Sequence, residues 1–113
     1  MAEVADTVKQ LHDYFNGVIA RAGHHAQNVD EVIYPLLGLI VSKADEGTIT
    51  IRTYKGAPAN VLCADINNKK YTFTYDHSKG EIKILEGNLN GILKASVSNG
   101  NDVANLKNIF AGL

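Results

Sequence analysis

The sequence predicts an α+β protein: two N-terminal helices, an antiparallel meander of four or five strands and a C-terminal helix, with all helices on one sheet face. Three observations carry this. Apolar residues recur at helical spacing through residues 3–44, in two runs split by a polar connector. From Thr48 the period changes from 3.6 to 2. After Asn99-Gly100 the helical spacing returns in Val103, Leu106, Ile109 and Phe110, with Asn101 or Asp102 placed to cap.

The most apolar run is Val32-Ile33-Tyr34-Pro35-Leu36-Leu37-Gly38-Leu39-Ile40-Val41, the body of a second helix reaching about Ala44. Its apolar side chains sweep roughly 200°, about twice the arc of an ordinary surface helix. The helix is therefore expected to be covered on two sides, by the sheet and by another helix or subunit. It is too short for a bilayer, which needs about 20 apolar residues. Asn28 or Asp30 is the expected cap. Pro35 removes a backbone hydrogen bond and biases Tyr34 away from helix, so a kink or break is expected near Tyr34, with Pro35 opening the straight part. Gly38 lowers helix propensity, and close approach of another backbone is its expected reason.

The first helix spans residues 3–22. Val4, Val8, Leu11, Phe15, Val18, Ile19 and Ala22 fall within an arc of about 100°, the expected core stripe. Gly23 is the expected stop. His24 and His25 lie in the connector.

Thr48–Tyr54 alternates as a half-buried strand, and 55–59 is a loop. Asn60–Ile66 and Lys69–Asp76 are strands joined by a two-residue turn at Asn67-Asn68. Residues 77–80 turn the chain into a strand at Glu81–Leu85. This register sets Ala64 opposite Tyr71, Leu62 opposite Phe73, Tyr75 near Ile82 and Phe73 near Ile84. One face then collects these residues with Ile66, and the other collects Cys63, Asp65, Lys70, Thr72, Thr74 and Lys83. Asp65 and Lys70 become a cross-strand charge pair. Residues 87–99 fit helix or strand. Gly91 and Ser96-Val97-Ser98 favour a fifth strand over 91–98.

The 113 residues suit one domain, 1–113, of ordinary composition: 45% apolar, 20% charged, net charge −1. Residues 1–46 carry seven acids and three bases, and 47–113 five acids and eight bases. That bias is modest, so nucleic acid is not an expected partner; lysines near turns protect strand ends. Cys63 is the single cysteine, which fits a reducing compartment. The first residues lack a basic, then apolar, leader pattern, and a cytoplasmic location is expected.

No nucleophile elbow, phosphate loop or dinucleotide fingerprint is present. His24 and His25 could share an ion with Asp30, but histidines after a helix C-terminus need no such reason. Neither a metal nor a cofactor is expected. Cys63 with His77 is a weak nucleophile pair, because its register puts it mid-strand. The Gly87–Gly91 loop matches no phosphate cradle.

The most suggestive set is Tyr34, Tyr71, Tyr75 and His77. Buried phenols need hydrogen-bond partners, and several meeting under a kinked helix would make a small pocket with polar points. The plainer reading is that each reaches backbone or solvent. Asp76 or Tyr75 with His77 would be the acid–base pair of any catalysis. The general layout looks like that of small α+β proteins carried on mobile bacterial gene cassettes, although no motif carries the likeness. The expectation is a non-enzymatic binding or interaction module, homodimeric, with room for a small apolar ligand and no membrane partner. The alternatives are a cofactor-free hydrolase or isomerase with a Tyr/His pocket under helix 2, or an inhibitor- or antitoxin-like protein.

Overall fold

A computed structural model of the chain describes residues 6–22, 28–52, 61–76 and 78–113. The elements are α1 (Asp6–Ala22), α2 (Ile33–Lys43), β1 (Thr50–Arg52), β2 (Val61–Ile66), β3 (Lys69–Asp76), β4 (Glu81–Glu86), β5 (Ile92–Val97) and α3 (Val103–Ala111). The strands form one sheet in the order β1-β2-β3-β4-β5, every neighbouring pair antiparallel. The fold is α+β, as expected. The ambiguous stretch 87–99 holds a strand, at Ile92–Val97. A side chain on Gly91 would run into the Glu86 carbonyl, so the chain can turn tightly there only with glycine.

β1 begins at Thr50 instead of Thr48. The Thr48 hydroxyl donates to Asp45 O at 2.7 Å and accepts from Asp65 N at 3.0 Å, which closes the α2–β1 corner. Residues 53–60, including the expected strand end and loop, lie outside the described residues, as do residues 3–5 and Gly23.

The hairpin register is the one the turn predicts. Asn67 and Asn68 have φ of 55° and 65°, the paired positive values of a tight two-residue hairpin. Ala64 faces Tyr71, Leu62 faces Phe73 and Asp65 faces Lys70. Tyr75 faces Ile82, and Phe73 also faces Ile84. The front face built from these apolar residues is buried throughout.

The back face is less open than its polar sequence implies. Cys63, Thr72 and Leu85 are buried on it. The reason is the loop after β4, which folds back over the sheet. Gly87 N donates to Lys70 O at 2.8 Å. Thr72 Oγ1 donates to Gly87 O at 2.6 Å and lies 3.5 Å from Cys63 Sγ. Thr72 is thus a satisfied buried hydroxyl.

All three helices meet the Phe73 face. From α2 come Ile33, Leu36 and Ile40. From α3 come Leu106 and Phe110, whose ring stacks on Phe73 at 6.0 Å and 14°. From α1 come Tyr14 and Val18, both fully buried. This corrects the expected α1 stripe: Val8 is 50% exposed, and Leu11 and Phe15 are only partly buried. At 100° per residue, the helix is turned by roughly 70° from the orientation its apolar residues suggest. Tyr14 is the cause. Its ring enters the core while its hydroxyl donates to Phe73 O at 3.3 Å.

Two expectations for α2 are also corrected. The helix starts at Ile33, so Pro35 lies in its first turn and no kink interrupts it. First-turn N–H groups have no partner inside a helix, so proline costs little there. Neither Asn28 nor Asp30 caps it. Residues 29–32 turn into the helix through Ile33 N to Val29 O, and Val32 at the cap position has no capping side chain. Asn99, from the β5–α3 loop, takes that role: its Oδ1 accepts from Glu31 N and Val32 N at 3.0 and 2.9 Å.

Candidate functional site: a groove between the first two helices

Because α1 is turned, its apolar side chains are left over at the edge of the core. The wide arc of α2 leaves a second surplus. With Ile33, Leu36 and Ile40 facing inward, Tyr34, Leu37 and Val41 fall on its flank. The two surpluses face each other across an open groove of about 640 Å³. On the α1 side stand Leu11, His12, Phe15 and Asn16; on the α2 side stand Tyr34, Leu37, Gly38 and Val41.

Phe15 and Tyr34 bridge the walls, with ring centroids 5.2 Å apart and planes tilted by 58°. That is a favourable aromatic arrangement. Tyr34 remains 64% exposed and Val41 53%. Gly38 lies open. No atom comes within 4 Å of where its Cβ would stand, so the expected backbone approach does not occur among the described residues. Its missing side chain instead adds depth to the groove. His12 and Asn16, one turn apart on α1, supply polar atoms on that wall, and Tyr34 carries a hydroxyl on the other.

The tyrosines grouped by the sequence are divided. Tyr34 lines the groove, whereas Tyr71 and Tyr75 are buried in the front face of the sheet. Tyr34 sits about 100° round the helix from Ile33 and 200° from Leu36, so it cannot share their inward direction. Burial raises the hydroxyl pKa of Tyr71 and of Tyr75, with Glu86 and Asp76 adding to it in turn. His77, His24 and His25 lie outside the described residues. Asp76 is engaged: Oδ1 accepts from Ser78 N and Oγ at 3.0 and 2.7 Å, and Oδ2 pairs with Lys83 Nζ at 3.0 Å. The Ser78 hydroxyl first, then Lys83, holds its carboxyl at about 2. Such a carboxylate is a poor proton acceptor at neutral pH.

Tyr14 is the residue that periodicity overlooked. Burial, and secondarily the Cys63 thiol, pushes its phenol well above the usual range. Among the described residues no group of three or more His, Cys, Asp or Glu could hold a metal ion. Among them, too, no helix is long and apolar enough to cross a membrane.

A protein-family model described as "Integron cassette protein VCH_CASS1 chain" matches residues 11–107. The chain belongs to this integron cassette protein family. The cassette-family match begins at Leu11 on α1 and ends inside α3, so it includes every described residue on both groove walls. No curated protein matches the chain.

Proposed function

We propose that this integron cassette protein is a non-enzymatic binding module, and that the α1–α2 groove takes a small apolar ligand. The groove itself carries the reading. Its volume falls in the range of roughly 300–1,000 Å³ typical of ligand pockets, and its lining is apolar and aromatic with a few polar atoms. Among the described residues it holds a single histidine and no carboxylate to pair with it, which does not make an acid–base set. A free buried thiol, Cys63, suits a reducing cytoplasm.

Binding of the neutral apolar dye Nile red tests the site. The wild-type protein should raise its fluorescence saturably, and Gly38→Leu, which fills the groove, should abolish the rise. Undiminished binding by Gly38→Leu would place the site elsewhere.

A second reading is a homodimer. Val8, Tyr34 and Val41 are 50%, 64% and 53% exposed, and all lie on the outer stripes of α1 and α2. Light scattering at micromolar concentration would give a mass near twice 12.2 kDa for a dimer. A mass of one chain at every concentration would exclude it.

A further inference from the structure

We infer that the ligand of this groove is uncharged: an aromatic or branched apolar body carrying one hydroxyl, carbonyl or amide group. This rests on the α1–α2 groove being a binding site, and goes further by naming the class of molecule. Among the described residues the walls hold no Asp, Glu, Lys or Arg. The neighbouring charges on α1, Lys9 and Asp13, are joined to each other at 2.9 Å. An ionic ligand would therefore leave water without a counter-charge to meet it, which is costly against an apolar wall. A neutral polar group loses far less, and it finds partners. Asn16 offers two donors and an acceptor, and His12 at least one N–H donor. These two stand together at i and i+4 on one wall, which suits a ligand with one polar end and an apolar remainder.

The aromatic pair suits such a body. Phe15 and Tyr34 are tilted, not face to face, so ring surface is left for a third group. The form of the site argues against a second copy as its filling. An isologous contact brings the same patch against itself, setting one concave surface on another.

Three probes sharing one body separate the outcomes: 4-phenylbutan-1-ol, 4-phenylbutanoate and 4-phenylbutylammonium. Each is titrated into the full chain at neutral pH and followed by amide chemical shifts. The alcohol should move the amides of Phe15, Leu37 and Gly38, at least about tenfold more tightly than either ion. His12→Ala with Asn16→Ala should erase that preference, and Gly38→Leu should remove binding while keeping a folded spectrum. An ion that binds as tightly as the alcohol would overturn the inference and leave the groove a binding site. Failure of all three probes to reach the groove would overturn the binding-module reading as well. A concentration-dependent dimer that Gly38→Leu dissolves would make a second copy the occupant and overturn the inference.

Discussion

Asn99 Oδ1 lies 2.9 Å from Val32 N, so the N-terminus of α2 is capped by a residue 67 positions further along the chain. The same side chain donates through Nδ2 to Asp30 Oδ1 at 2.7 Å, and Asn99 N donates to Asn28 O at 2.6 Å. One asparagine thus fixes the start of a groove wall to the β5–α3 loop. The N–H groups of Ile33 and Tyr34 find acceptors locally, in Val29 O and Glu31 O, whereas those of Glu31 and Val32 at the entry to the helix find theirs across the fold.

Asn99→Ala should therefore destabilise the whole domain, by about 1–2 kcal/mol, the usual cost of a lost N-cap. Urea denaturation measures this. The midpoint should fall with little change in slope. An unchanged midpoint would mean that water serves α2 equally well.

Tyr14 makes two separable contributions. Tyr14→Phe keeps the ring in the core and removes the bond to Phe73 O, at a cost of about 0.5–1.5 kcal/mol. Tyr14→Ala also empties a fully buried site and should cost roughly 3–5 kcal/mol. Equal losses for the two variants would show that the ring does not carry the packing.

Two glycines should respond oppositely to alanine. Gly38 stands in open space inside a helix, so Gly38→Ala should stabilise by about 0.8–1 kcal/mol. At Gly91 a Cβ would strike the Glu86 carbonyl, and backbone cannot step aside as a side chain can. Gly91→Ala should cost about 1–3 kcal/mol or more and disturb the β4–β5 connection. Thermal melts of both variants decide the signs.

Asp76 predicts an acid limb in the stability profile. Its carboxyl is lowered in the folded chain from 3.8 to about 2 by Ser78 and Lys83. A lowered folded pKa means that the unfolded chain binds the proton first as pH falls. The contribution is therefore complete above about pH 4 and lost as the pH drops through about 2. Asp76→Asn should flatten stability against pH in that window and leave neighbouring windows unchanged. A profile of wild-type shape would assign the acid limb to other groups.

The sheet was legible because two local signals agreed. Asn67-Asn68 specifies a two-residue turn, and alternation of Leu62, Ala64 and Ile66 against Tyr71, Phe73 and Tyr75 permits one register. A slip by one residue would turn every apolar side chain outward. A cap for α3 at Asn101 or Asp102 was legible for the same reason; it is Asp102, whose Oδ1 accepts from Asn105 N at 2.8 Å, an entirely local bond.

The surplus apolar arc of α2 could also be read from the sequence. What it faces could not, because periodicity gives the width of an apolar stripe and not its partner. The rotation of α1 was decided by Tyr14, whose hydroxyl needed an acceptor that only β3 brings within reach. The cap of α2 came from Asn99, and the burial of Thr72 from a loop that returns over the sheet. The sequence by itself determined the order of helices and strands, the Asn67-Asn68 turn and the register across it, because those depend on neighbours a few residues apart. The tertiary structure alone decided which flanks of α1 and α2 remain open and meet as a groove, because that follows from how whole helices compete for one sheet face.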